Sequence, residues 1–264
     1  MRLPYSLDKI SFVGDWHRNL RYGITCLDIL SEQGIQVIIH LGDFLHYGPR
    51  AELDMYLDTL NSACESNTQI ILFIDGNHED FPYLKSFPKN ADGVVEIRDN
   101  IIYLPRAFKW EWEGVSFMAM GGAPSINKPS LIPDVTWFED ELITKEQYAL
   151  AESQGHVDVL LTHDCPKGVI IPNLDNEGLP KSWQRELLHC DTQRQRLYNL
   201  CEAVRPNYLF HGHYHRDYSS ILRYPDIEDE NDHTEIFGKD SDGNPFQNNY
   251  KIVGLDELRM RIVL

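Results

Sequence analysis

The sequence predicts an α/β fold whose buried strands are covered by helices or by a second sheet, and three observations carry that expectation. Between residues 9 and 74, short Val/Ile/Leu runs without polar alternation take turns with helical periodicities, the pattern of strands buried on both faces. Between residues 101 and 120, three β-like runs crowd together with turn residues between them. Beyond residue 157, further apolar runs flank a helical stretch.

In order, residues 9–13 read as a strand that stops at Gly14. Residues 19–33 place Leu20, Ile24, Leu27 and Leu30 at helical spacing, and Gly34 ends the helix. The pattern repeats with a strand over 37–41, the pair Gly42-Asp43, and a helix through Leu53, Tyr56, Leu57, Leu60 and Cys64. A third strand over 70–74 runs into Asp75-Gly76-Asn77-His78. The runs 101–104, 108–112 and 115–120 favour antiparallel pairing, with Glu113-Gly114 as the turn between the last two. Gly121-Gly122-Ala123-Pro124-Ser125 opens a long irregular stretch of the kind that serves a site. Thr144 and Gln147 then form a capping box for a helix reaching Gln154.

A strand over 157–161 ends at Thr162-His163-Asp164. A helix over 192–204 turns Leu197, Leu200 and Val204 to one side and closes at Pro206. A strand over 208–210 delivers His211-Gly212-His213-Tyr214-His215, the densest set of metal-capable side chains in the chain. The acidic, Asn- and Gly-rich segment 226–249 reads as an exposed, solvated insertion rather than a partner-binding arm. The runs 251–253 and 258–264 are expected to complete the second sheet. With no internal repeat and no Pro/Ser-rich linker, residues 1–264 are read as one domain.

Composition sets the bounds. The 264 residues, 42% hydrophobic and 11% aromatic, can bury a sizeable core. A formal net charge of -17 opposes extended binding along duplex DNA or docking on an anionic membrane, both of which need a basic face. Five cysteines without a CxxC pair, and an N-terminus without the basic-then-apolar pattern of a signal peptide, point to a cytoplasmic protein. No apolar run approaches the ~20 residues that span a bilayer.

Five clusters follow apolar runs: Gly14-Asp15-Trp16-His17, Gly42-Asp43, Gly76-Asn77-His78-Glu79, Thr162-His163-Asp164 and Gly212-His213-Tyr214-His215. Each alone has an ordinary structural explanation, such as a helix cap, a turn or a hydrogen-bonded strand end. In extended backbone, residues i and i+2 point the same way, so Asp15 with His17, and His213 with His215, can each face one ion. Loops beyond the carboxyl ends of parallel strands converge, and Asp15, Asp43, Asn77, His163 and His213 all fall there. Carboxylate, amide and imidazole donors without a thiolate suit Mn, Fe or Zn. His40 reads as a core histidine with its hydrogen bonds satisfied, and His156, His189 and His233 as surface or cap residues. His211 reads as a supporting group rather than a ligand. Trp16, Tyr47, Trp137 and Tyr214 read as packing rather than a base-binding wall.

The order D-x-H, GD, GNHE, H and GHxH from Asp15 to His215 resembles the calcineurin-like metallophosphoesterases. Gly121-Gly122-Ala123, followed by Trp137-Phe138-Glu139-Asp140-Glu141, looks like small bacterial and phage members. The resemblance implies a four-layer α/β/β/α sandwich, two mixed β-sheets face to face with flanking helices. It implies that Asp15, His17 and His215 hold one metal ion and Asn77, His163 and His213 a second, with Asp43 bridging. Manganese is expected ahead of iron or zinc.

The implied activity is hydrolysis of phosphodiesters, extending to phosphomonoesters. Two cations about 3.5–4 Å apart would clamp the phosphoryl oxygens and activate a bridging hydroxide. His78, not itself a ligand in the family, is expected to protonate the leaving alkoxide or steady its charge. Asn77, His78 and Arg216 are expected to meet the substrate, and Arg216 equally suits a surface ion pair. That substrate is a small or exposed phosphoester, nucleotides among the candidates, drawn by metal charge that offsets the acidic chain.

There are two departures. His46 stands where many relatives carry aspartate three residues beyond the GD unit, which bears on hydrogen bonding around the metals and on metal preference. The arginine of protein-phosphatase relatives is missing nearby, which weighs against a phosphoprotein substrate. Two rival readings stay open: a nuclease acting on single strands or ends, and a catalytically silent metal-binding scaffold for protein partners. The intact set with His78 counts against the scaffold.

Overall fold

The computed structural model describes residues 8–174, 178–225 and 232–260. The chain runs through β1 (Lys9–Val13), α1 (Leu20–Glu32), β2 (Val37–His40), α2 (Arg50–Asn67), β3 (Ile70–Phe73), α3 (Phe81–Leu84), β4 (Val95–Arg98) and β5 (Ile101–Tyr103). It continues with β6 (Phe108–Trp112), β7 (Val115–Met120), α4 (Lys145–Ser153), β8 (Val159–Thr162), α5 (Lys181–Gln184), α6 (Leu187–Val204) and β9 (Tyr208–His211). Last come β10 (Tyr218–Arg223), β11 (His233–Gly238), α7 (Phe246–Asn249), β12 (Tyr250–Gly254) and α8 (Leu255–Met260).

The strands form two six-stranded sheets, ordered β12-β1-β2-β3-β5-β4 and β10-β11-β9-β8-β7-β6. In each, four parallel strands occupy the middle and an antiparallel strand guards each edge. The central strands carry apolar residues on both faces because both faces are covered. Ile10, Phe12, Ile39 and Leu72 of the first sheet pack against Phe117, Leu161 and Phe210 of the second, and the Phe12 and Phe210 rings stack at 3.8 Å. Helices α1 and α2 cover the outer face of the first sheet, and α4 and α6 that of the second. The result is the expected four-layer α/β/β/α sandwich of two mixed sheets.

Local chemistry places the helix ends and turns. The Asn19 side chain accepts from Tyr22 N to start α1, and Thr144 and Gln147 form the full capping box of α4. Glu113 and Gly114, both at positive φ, make the tight β6–β7 turn.

Several expectations are corrected. The run 101–104 does not join the next two runs: β5 lies in the first sheet, parallel to β3 and antiparallel to β4, and the crossing between sheets falls after it. Residues 251–253 belong to the first sheet, where β12 pairs with β1, and 255–260 form a helix rather than a strand. Residues 261–264 lie outside the described residues. Part of the expected insertion, 226–231, does too. The remainder is not an exposed insertion: β11 lies between β10 and β9, and Lys239, Asp240, Ser241 and Asn249 are buried. A polar segment misleads here because its polar groups are spent on internal hydrogen bonds, such as Asn249 Nδ2 to the Asp240 carbonyl at 2.7 Å. No described helix is long and apolar enough to cross a membrane.

His40 is buried in the core as expected, but it is not satisfied. Neither ring nitrogen has a hydrogen-bond partner among the described residues, and the ring sits among Trp16 and Phe44 at 4.8 and 4.9 Å. Burial pushes its pKa down to about 3, so the folded chain holds it neutral. The unfolded chain takes up a proton below about pH 6.5, so stability present above that pH is lost as pH falls toward 3. We expect His40 alone to cost about 2 kcal/mol between pH 7 and pH 5. His40→Leu should flatten that part of the acid dependence in denaturant melts of the metal-free protein. An unchanged pH slope would show that another group carries it.

Candidate metal centre

The carboxyl ends of β1, β2, β3, β8 and β9 bring five loops to one place. Donor atoms of Asp15, His17 and His215 lie within 4.8 Å of one another, as do those of Asp15, Asp43 and His163. His215 Nε2 is 3.1 Å from Asp15 Oδ2, and His17 Nε2 and His163 Nε2 are each 3.4 Å from an Asp43 oxygen. Asn77 Oδ1 completes the far side, 3.1 Å from His163 Nε2 and 3.0 Å from His213 Nδ1. All seven residues singled out as ligands therefore meet, with the two aspartates between the two groups of donors.

The route to this convergence differs from the extended i, i+2 spacing that the sequence suggested. His17, Asp43, His213 and His215 all hold left-handed backbone, at φ 44°, 57°, 68° and 51°. Such residues cost on the order of 1 kcal/mol or more each, and they persist where surrounding structure over-determines them. The turns also split the last pair: His213 faces Asn77 while His215 faces Asp15. Two motif glycines permit the approach. A Cβ on Gly76 would stand 2.1 Å from Asp43 Oδ1, and one on Gly212 would stand 2.1 Å from Asp15 Oδ1. Each glycine thus makes room for a carboxylate from a different loop.

Hydrogen bonds aim the donors. His163 Nδ1 donates to the Leu41 carbonyl at 2.7 Å, which turns Nε2 inward. His17 Nδ1 is 2.7 Å from Asp242 Oδ1, and Asn19 Nδ2 donates to the other Asp242 oxygen at 2.9 Å. Ser125 Oγ donates to Glu141 Oε2 at 2.6 Å and accepts from Asn77 Nδ2 at 3.0 Å. That leaves the Asn77 oxygen toward the imidazoles. We expect Ser125→Ala to free the amide to rotate and weaken metal binding by ~10–100-fold, measured by chelator competition. Unaltered affinity would remove this role from Ser125.

Glu79 straps the GD and GNHE loops together, its carboxylate accepting from the backbone N–H groups of Phe44, Leu45 and Gly76. Burial and the neighbouring Asp43 push its pKa up to about 8. Burial works against charge on Asp43, but His163 and His78 outweigh it and hold the carboxyl well below the usual range. Burial likewise opposes charge on His17 and His163, yet Asp242 and Asp43 carry His17 up to about 11, and Asp43 carries His163 up to about 10. Both imidazoles must shed a proton to coordinate an ion. Two buried carboxylates, an amide oxygen and inward-turned imidazoles, with no thiolate, fit a pair of hard-to-borderline cations.

Other residues fall as follows. His78 lines the cleft beside the donors, its backbone N–H donates to Asp43 Oδ1 at 2.9 Å, and burial lowers its pKa. Arg216 is exposed, lies outside the lining of that cleft and donates to its neighbour's carbonyl. His46 packs its ring 5.4 Å from His78 and 6.2 Å from His17. His211 is buried against Tyr218 Oη at 2.8 Å, a supporting position. Trp16 is fully buried and is therefore packing. The sequence does not single out Asp242, Ser125 or Glu141 as site residues: the capacity of carboxylates to orient histidines hints at Asp242, while Ser125 and Glu141 lie in stretches noted only for their irregularity and likeness.

Residues 9–217 match the family model described as calcineurin-like phosphoesterase, and the chain belongs to that family. It is thus a metallophosphoesterase, a hydrolase of phosphoric ester bonds. The chain is similar to the solved structure of TT1561 of Thermus thermophilus, at 12% identity and TM-score 0.55, covering 97% of this chain and 96% of that one. A second solved structure aligns at 10% identity and TM-score 0.55, over 95% and 96% of the two chains. At such identities these likenesses speak to the fold alone. A comparison with curated proteins finds no match.

Proposed function

We propose that the protein is a metal-dependent phosphodiesterase of the reducing cytoplasm, active also on some phosphomonoesters, and that residues 1–264 form one catalytic domain. The observation that carries the reading is the meeting of two donor groups around Asp15 and Asp43, beside a cleft of about 210 Å³ lined by Asp43, Asn77, His213 and His215. Five free cysteines support the compartment. Asp15, His17 and His215 would hold one ion, Asn77, His163 and His213 the other, and Asp43 both. Manganese suits these donors, with iron or zinc as alternatives.

Bound metals supply Lewis acidity toward the phosphoryl oxygens and acidify water. The chain's own residues do the rest. Asp43, held by the His78 backbone and kept ionised, would supply negative charge to both ions. Asn77, fixed through Ser125 and Glu141, keeps its oxygen toward His163 and His213, from where it would reach an ion. His78, kept mostly neutral by burial, offers a ring N–H to the leaving oxygen as its charge develops. Asp242 and the Leu41 carbonyl hold two imidazoles against rotation.

The test is one series on Mn-reconstituted protein: a bis-aryl phosphate, an aryl monophosphate, cyclic nucleotides and single-stranded DNA. We expect turnover of the bis-aryl phosphate that EDTA stops and Mn restores. Cleavage of DNA alone would make the protein a nuclease, and an inert metal-loaded protein would make it a scaffold.

A further inference from the structure

The cleft over the metal donors does not end at its own wall. Ile126 and His213 line both that cleft and a second cavity of about 460 Å³. Cavities that hold organic ligands run roughly 300–1,000 Å³. On that scale the cleft of about 210 Å³ has room for a phosphoryl group and little more, whereas the adjoining cavity can take a ring system.

One wall of the second cavity is a stripe of α6. Leu187, Cys190, Asp191 and Arg194 stand at i, i+3, i+4 and i+7, one helical face. Farther along α6, Leu197, Leu200 and Val204 are spent on the second sheet. Tyr214 also lines the cavity, and its hydroxyl donates to Asp164 Oδ1 at 2.8 Å, so the ring is held in place. Arg194 donates to the carbonyls of Cys165, Pro166 and Val169 and makes no ion pair among the described residues. Its charge is balanced by the neighbouring buried Asp164, and Asp191 is engaged by Lys167 at 2.8 Å, so neither charge of this stripe is left over and the recognition surface of the cavity is its apolar and aromatic part.

We propose that this cavity binds the organic group of the substrate, and that it selects phosphoesters of bulky aromatic alcohols over esters of short alkyl alcohols. The inference rests on the phosphoesterase reading above and adds the substrate class. In the reaction, water adds to phosphorus, the ester P–O bond breaks, and the alcohol leaves with a proton. The aromatic group is bound by Leu187, Cys190 and Tyr214 while the phosphoryl group lies over the metal donors.

The experiment measures binding by calorimetry of methylphosphonate, phenylphosphonate and naphthylphosphonate, which have no ester bond to cleave, to the Mn-loaded protein. We expect affinity to rise by about tenfold or more from methyl to naphthyl. Leu187→Trp and Cys190→Trp, two independent ways to fill the cavity, should each collapse that rise. Equal affinities in the parent protein, or a rise that survives both variants, would overturn the proposal. Turnover of the bis-aryl phosphate is read separately. An affinity rise without turnover sinks the phosphoesterase reading alone, and turnover with flat affinities sinks only the cavity assignment.

Discussion

Asp43→Ala is expected to lower metal-dependent turnover by on the order of a thousandfold or more, the largest loss from any single change in the chain. Asp43 is buried, and its two oxygens face His17 on one side and His163 on the other. Its own carboxylate thus touches an imidazole from each proposed ion's set. Removing it takes away the main negative charge that balances His163, and burial then shifts that imidazole toward the neutral form, while His17 keeps Asp242 at 2.7 Å. The check combines steady-state kinetics with metal content per chain. A variant that keeps a tenth of the parent rate with both ions bound would end the assignment.

His78→Ala is expected to spare metal binding and to lower kcat by ~10²–10⁴-fold, with a loss that depends on the leaving group. The hydrogen bond from His78 to Asp43 comes from its backbone N–H, which alanine retains. What alanine lacks is the ring in the cleft, whose Nδ1 has no hydrogen-bond partner among the described residues. A nitrophenolate departs without help, so its esters should lose little, whereas alkyl esters should lose most of their rate. The comparison is kcat for both ester types in parent and variant. Equal losses for the two would separate His78 from the leaving oxygen.

Much of this site could be read before any coordinates because glycine, carboxylate and imidazole recur at strand ends. That order is a linear property. How the pieces turn toward one another is not, since left-handed residues such as His17 and His215 are set by the packing of five loops against each other. The same reason hid Asp242 and Ser125, which are ordinary polar residues until the fold sets them 2.7 Å from His17 Nδ1 and 3.0 Å from Asn77 Nδ2. In the fold, the long apolar runs of β1, β2, β3 and β8 were legible from composition alone. The edge strands β4 and β10 were not, because their outer sides are wetted and their sequences mix both kinds of residue.

The stretch that follows residue 217 has a further consequence. It contributes β12 to one sheet and β10 and β11 to the other, and Asp242 to His17. A truncation that removed β11 and everything after it would leave every proposed metal donor on one covalent fragment. That fragment would nonetheless have a bare strand on each side of the molecule, β1 in one sheet and β9 in the other. Exposed strand edges of that kind recruit other chains, so such a clipped protein would be recovered as aggregate rather than as a weakened enzyme.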